Sequence, residues 1–258
     1  MSSILFEIIN NVGIITFNRP EKFNSFNREM ALRFQSILDD CAADKNIRAL
    51  YITGNGKAFS AGQDLGELVG ENAPGFEEIL AKHYNPIITR IRSLEKPVVC
   101  AVNGVAAGAG ANIALAADVV LAANSASFIQ AFSKIGLIPD SGGTFILPRL
   151  IGFQKASALM MLGDKVSATE AERLGMIYKV FVDETFAAQS MEIAVTLAAM
   201  PTRGLAYTKA ALNASFGNSL TQQLQTEDEL QYKAAHTYDY KEGVQSFIEK
   251  RPAVFKGE

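Results

Sequence analysis

The 258 residues suffice for one large domain or one domain with a small appendage. With 48% hydrophobic and 20% charged residues the chain can bury a sizeable core, and a net charge of −3 speaks against nucleic acid as a partner. No run of 18 apolar residues offers a membrane span, and two histidines are too few for a histidine-rich metal site. Cys41 and Cys100 form no CxxC and sit in apolar-periodic contexts. They read as buried thiols in a reducing compartment, so a cytoplasmic protein is expected. The opening MSSILFEIINN lacks the basic and long apolar regions of a signal peptide and the arginines of a transit peptide.

In chain order, residues 4–9 and 13–18 read as strands joined by a hairpin through Asn10 and Asn11. Residues 27–41 place Met30, Phe34, Ile37, Leu38 and Cys41 on one helical face. Residues 49–53 form a strand followed by a glycine-rich loop over 54–62. Residues 76–94 have helical spacing, and His83 within them reads as a histidine of the helix face or core. Residues 98–102 are a continuous apolar run rich in β-branched residues, the pattern of a buried strand. Asn103-Gly104 breaks it, Gly108 and Gly110 follow, and a helix starts near Asn112. Residues 119–123 are another strand, and residues 125–128 a short extended piece. Helices are expected over 141–150 and 154–162. A capping box at residues 167–170 opens a further short helix, and residues 178–182 form a strand. Beyond Asp183 only helical periodicity remains. The pattern predicts an α/β fold with a strand-bearing core over residues 1–195 and a helical region over 196–258.

Three loops that follow strands carry unusual small or polar residues: 56–65, 104–110 and 136–144. Loops at strand ends build the sites of α/β proteins. Gly104, Gly108 and Gly110 are spaced GxxxGxG, which is not the dinucleotide fingerprint, and no GK[ST] follows to make a phosphate loop. Two readings of this turn stand side by side. The small residues either let a helix pack tightly on a sheet or let a ligand approach backbone N–H groups. Two such turns can present two N–H groups to one oxygen, as an oxyanion hole does. Asp140 is likewise either the N-cap of the following helix or an acid/base, and the two roles compete for one carboxylate. A Ser/His/Asp triad finds no support, since neither histidine lies beside a GxSxG turn.

Four collinear motifs, NRPEKFNS (18–25), FSAGQDL (59–65), AVNGVAAGAG (101–110) and EGVQSFIEKR (242–251), resemble the crotonase superfamily of enoyl-CoA hydratases and isomerases over nearly the whole chain. The resemblance implies a spiral of ββα turns with a helical C-terminal trimerisation region. It implies an acyl-CoA thioester substrate and no separate cofactor, coenzyme A being part of that substrate. The thioester oxygen would sit between the backbone N–H groups of Gln63 and Ala109, flanked by Gly108 and Gly110. Ala109 stands where the family commonly has glycine, and only its N–H is used. Lys22 and Phe23, with Ala61, Gly62, Asp64 and Leu65, would hold the pantetheine and adenine. Phe247 and Lys250 match positions that reach the CoA nucleotide, often from a neighbouring subunit, in a homotrimer or a dimer of trimers. Hydratases of the family use two glutamates to handle water, and here those positions are Asn112 and Phe132. A carboxylate stands instead at Asp140, so the resemblance implies an isomerase that moves a proton between carbons, with Asp140 as acid/base, ahead of a hydratase. Acyl preference depends on the loop over residues 68–84.

Overall fold

The structure, a computed structural model, describes residues 2–69 and 73–258; residues 70–72, within the 68–84 loop on which acyl preference is expected to depend, lie outside the described residues. The chain enters through the hairpin β1 (Ile4–Ile9) and β2 (Val12–Phe17), whose tight turn holds both Asn10 and Asn11 at positive φ. Two successive left-handed positions suit asparagine better than most side chains. Helix α1 (Arg28–Ala43) follows, capped by the Asn27 side chain, which accepts from Met30 N–H. Its buried face holds Met30, Phe34, Ile37, Leu38 and Cys41, as the spacing predicts.

From there the chain alternates between two sheets. Strand β3 (Ala49–Gly54) is followed by the short β4 (Ala58–Ser60), β5 (Val98–Val102) by β6 (Val105–Ala107), and β7 (Val119–Ala123) by β8 (Ser127–Ile129). The long strands join a six-stranded sheet in the order β1-β2-β3-β5-β7-β10, which β10 (Lys179–Phe181) closes. The short strands join a four-stranded sheet in the order β4-β6-β8-β9, ended by β9 (Lys165–Ser167). The neighbouring long strands from β2 to β10 run parallel, and all five residues of β5 are fully buried. That double-sided burial is why the strand reads as an unbroken apolar run. This is the ββα spiral.

Strands β4 and β6 were not expected. Strands of three residues are too short to carry a readable alternation. A backbone contact requires Gly104 between β5 and β6, since a Cβ there would lie 2.2 Å from the Lys57 carbonyl oxygen.

The expected helix over residues 76–94 is three pieces: α2 (Phe76–Glu78), a π-helical turn over Ile79–Tyr84 and α3 (Asn85–Ser93). Asn85 N–H reaches back five residues to Leu80 O. Pro86 has no N–H to return to the turn, and the Gln35 side chain instead donates to Lys82 O and His83 O at 2.7 and 3.1 Å. His83 is buried, and burial pushes its pKa down, as fits a core histidine.

Helix α4 (Ala109–Leu115) follows β6; α5 (Gly143–Ile151), α6 (Phe153–Leu162) and α7 (Ala168–Arg173) follow β8. Ser167 caps α7 by accepting from Glu170 N–H. The chain then ends in α8 (Asp183–Ala199), α9 (Thr202–Ser215), α10 (Leu220–Ala235) and α11 (Tyr238–Glu249). The expected boundary at residue 195 falls inside α8, which packs on the large sheet and joins it through the Tyr51–Ser190 hydroxyl pair at 2.8 Å. Helix α9 is tied to the core by Lys209, whose ammonium donates to Ile91 O at 2.7 Å and pairs with Asp118 at 2.8 Å. Asp118 therefore serves a partly buried ion pair with Lys209. Both cysteines are buried and unpaired, and burial pushes the Cys41 thiol up to about 12. No described helix is long and apolar enough to cross a membrane.

Candidate active site

The three loops singled out in the sequence meet around one cavity of about 210 Å³. Ala61, Gln63 and Leu65 line it from the first loop, Gly108 and Ala109 from the second, and Phe132 and Asp140 from the segment after β8. Close backbone contact draws the first two together. A Cβ on Gly62 would lie 2.8 Å from Ala107 O and 3.3 Å from Ala109 N, and one on Gly110 would lie 2.4 Å from Ser60 O. Only glycine permits this approach, and Gly62 and Gly108 also have φ of +84° and +53°. The Gly62–Gln63 peptide is held by its carbonyl, which accepts from Phe26 N–H at 2.7 Å, while Gly108 N–H donates to Ile129 O at 2.9 Å. Gln63 N–H and Ala109 N–H themselves donate to no acceptor among the described residues. Two free N–H groups at the wall of a small cavity suit one anionic oxygen.

The Gln63 side chain is engaged at both ends. Its Oε1 accepts from the Tyr84 hydroxyl at 2.9 Å, and its Nε2 donates to Glu67 at 3.1 Å. Tyr84 was missed in the sequence, although it shares the helical face of Leu80, Ile87 and Ile91. It lies at the end of the π-turn, is fully buried, and lines the cavity with Ile79 and Leu68. Burial, then the charge of Asp140, drives its phenol well above the ordinary tyrosine range.

The structure speaks against the capping reading of Asp140. Helix α5 starts at Gly143, two residues later than expected, and its N-cap is Gly142 with no side-chain cap. Ser141 and Gly142 have φ of +51° and +75°, so the chain cannot yet be helical there. A left-handed serine costs about 1–2 kcal/mol. In return the buried Ser141 hydroxyl donates to Asp140 Oδ1 at 2.8 Å. Asp140 is therefore not the cap of α5, and it is one of the residues that line the cavity. Burial raises its pKa above the usual carboxylate range, while the Ser141 hydrogen bond pulls the other way. Replacing Ser141 by alanine removes the lowering contribution. The acidic limb of kcat/KM for Ser141→Ala is expected to move to higher pH, and a profile that stays in place or moves down would contradict this assignment.

Asn112 and Phe132 occupy the two positions where the resemblance puts hydratase glutamates. Asn112 is fully buried, and its Nδ2 donates to Asp140 O at 2.9 Å. Phe132 forms an apolar wall close to Gly108. Asp64 is not among the residues that line the cavity and pairs with Arg19. Burial pushes its carboxyl up, but the Arg19 guanidinium at 2.9 Å and Gly66 N–H outweigh that and leave it below the usual range. Lys22 and Phe23 are exposed on the loop beside the first turn, where Phe23 O accepts from Ala61 N–H at 2.9 Å. Phe247 and Lys250 lie at the exposed end of α11 and do not line this cavity. Among the described residues no group of three or more His, Cys, Asp or Glu is placed to hold a metal ion.

Comparison with known proteins gives the family and the fold. The family model for enoyl-CoA hydratase/isomerase matches residues 7–258. The 1,2-epoxyphenylacetyl-CoA isomerase of Escherichia coli is 45% identical over 100% of this chain and 99% of its own. A protein named probable enoyl-CoA hydratase, from Rhodobacter capsulatus, is 42% identical over 99% and 98%. The crystal structure of an enoyl-CoA hydratase from Bacillus anthracis superposes with a TM-score of 0.92 at 34% identity, covering 99% of this chain and all of that one. With the spiral fold, the paired N–H turns and a match along nearly its full length, this chain belongs to the enoyl-CoA hydratase/isomerase family.

Proposed function

We propose that this protein is an acyl-CoA isomerase. Its reaction is the conversion of 2-(1,2-epoxy-1,2-dihydrophenyl)acetyl-CoA to the oxepin thioester, the shift of a double bond from C3 to C2 of an enoyl-CoA, or both. The observation that supports the reading is one cavity lined by Gln63 and Ala109, whose N–H groups have no acceptor among the described residues, by the buried Asp140 carboxyl and by Phe132, with no glutamate at the hydratase positions. The name of the E. coli relative supplies the epoxide substrate.

In the double-bond shift, the Asp140 carboxylate removes a proton from the carbon beside the thioester. The negative charge moves to the thioester oxygen, where Gln63 N–H and Ala109 N–H stabilise it. The Asp140 carboxyl then returns the proton two carbons further on. One group both takes and gives the proton, so no second acid/base is needed. Hydration must also position and deprotonate a water, for which neither the Asn112 amide nor the Phe132 ring has a basic group. General acid–base groups each contribute about 10²–10⁴-fold, so crotonyl-CoA hydration is expected to run at least about 10²-fold slower than isomerisation. Incubating the wild-type protein with crotonyl-CoA, and separately with a 3-enoyl-CoA or the epoxide, tests this; efficient hydration would return the protein to the hydratases.

The working unit is proposed to be a homotrimer or a dimer of trimers. The C-terminal helices leave Leu220, Leu224, Tyr232, Phe247 and Ile248 exposed, and apolar helix faces are usually buried on a neighbour. Phe247 and Lys250 would then reach the CoA nucleotide of an adjoining subunit, with Lys22 and Phe23 beside its pantetheine. Light scattering at micromolar concentration is expected to give three or six chains per particle; a monomer would exclude this arrangement. Coenzyme A enters as part of the substrate, and no separate cofactor is invoked. The two buried unpaired thiols suit the cytoplasm.

A further inference from the structure

We propose that Asn112 is a positioning residue for Asp140, holding the acid/base loop at a set distance from the oxyanion donor. The inference rests on the reading of Asp140 as the acid/base. Asn112 lies three residues along α4 from Ala109, one of the two N–H donors, so whatever Asn112 grips is fixed relative to that donor. It grips Asp140: Nδ2 donates to Asp140 O at 2.9 Å. The other end of the amide accepts from Gln130 Nε2 at 2.8 Å, which orients the NH₂ end toward the loop. Both side chains are at least 97% buried, Asn112 at 0% and Gln130 at 3% exposure. Asp140 O also accepts from Gly143 N–H at 2.8 Å, so its carbonyl is pinned from two directions.

The packing agrees with the hydrogen bonds. A Cβ at Gly143 would lie 2.4 Å from Asn112 Nδ2, so the first residue of α5 is glycine where the amide passes. The loop has reason to need the anchor. Gly136, Ser141 and Gly142 all have positive φ, and Ile138 between them is 81% exposed. Within the loop the Ser141 hydroxyl holds the carboxylate at 2.8 Å, but Ser141 belongs to the same left-handed turn and does not tie it to α4. A misplacement of about 1 Å can cost roughly 10²-fold in rate. The chemistry of the position has also changed in kind. An ionised glutamate there has only acceptor oxygens and would face the Asp140 carbonyl without a donor. Asparagine supplies the donor, so this residue is put to a different use from the hydratase acid.

The test is a double-mutant cycle on the full chain, with 3-enoyl-CoA isomerisation as the readout and a thermal melt for folding. Asn112→Ala is expected to lower kcat roughly 30-fold with KM kept within about threefold. In an Asp140→Asn background the same substitution is expected to cost little of the residual rate, because its effect passes through the carboxylate. A general loosening of the core would instead lower both backgrounds equally. Asn112→Asp, which keeps the volume and loses the donor when ionised, is expected to behave as Asn112→Ala. If Asn112→Ala does not melt cooperatively, Gln130→Leu, which removes the orienting donor, is carried through the same cycle and decides the matter. A folded variant with kcat within about twofold of wild type, or an equal loss in both backgrounds, overturns the inference. If Asp140→Asn alone keeps more than about a third of wild-type activity, the acid/base reading itself falls; if Asp140→Asn is inactive and the Asn112 effect is equal in both backgrounds, only the positioning role does.

Discussion

Asp140→Asn is expected to lower kcat by at least about 10²-fold while leaving the fold and the affinity for CoA thioesters in place. Asparagine keeps the size of the side chain and still accepts from the Ser141 hydroxyl, but it cannot take a proton. The structure adds a second, opposite expectation for stability. Burial raises the Asp140 pKa above the unfolded value, so its contribution to stability is fully present below the unfolded pKa and is lost as pH rises through the folded one. At neutral pH the ionised wild-type carboxylate is therefore a cost that the neutral amide lacks. Asp140→Asn should melt at or above the wild-type temperature at pH 7, with the difference shrinking as pH falls. A catalytic group that is poorly placed for stability is the usual trade at an active site. Steady-state kinetics on a 3-enoyl-CoA with a parallel melt checks both, and a variant with more than about a third of wild-type activity would end the mechanism.

Gly62→Ala is expected to have a comparable effect on turnover without touching any ionisable group. Gly62 has a φ of +84°, and the added Cβ would lie 2.8 Å from the Ala107 carbonyl oxygen, an atom of the second turn's backbone. The left-handed conformation costs an alanine about 1–2 kcal/mol. The contact must also be relieved by moving the two turns apart, and Gln63 N–H and Ala109 N–H sit on those two turns. Loss of one oxyanion donor costs about 10²–10³-fold in kcat in well-studied enzymes, and that is the fall expected here. The pH dependence of the remaining activity should keep its acidic limb, because Asp140 is untouched; this distinguishes the variant from Ser141→Ala. Wild-type turnover in a folded Gly62→Ala protein would remove these two N–H groups from the chemistry.

Much of the architecture was written in short-range pattern. Helix α1 and strands β5 and β7 follow from periodicity and burial, because α1 buries one face and the two strands lie almost wholly inside, while the hairpin is marked by its Asn10-Asn11 turn and the helical end by the absence of strand-like runs. Strands β4 and β6 and the π-turn at Ile79–Tyr84 were not legible. The first two are three residues long, and the third differs from an α-helix by one extra residue per turn without changing the apolar spacing around it. Among the site residues, the glycines and Asp140 stood out as candidates, yet each kept a structural reading beside the functional one.

By itself, then, the sequence determined an α/β core with a helical end, three unusual loops, the loss of the glutamates at Asn112 and Phe132, and a family resemblance carried by four motifs. Tertiary structure decided the rest: that Gly142 and not Asp140 caps α5, that Tyr84 joins the site through Gln63, and that Asn112 is bound to the Asp140 loop. The physical reason is the range of the forces involved. Periodic burial and capping act within a few residues and leave a local imprint. Gln63, Ala109 and Asp140 line one cavity because turns distant in the chain press backbone against backbone at Gly62 and Gly110, where the absence of a side chain says that something approaches but not what.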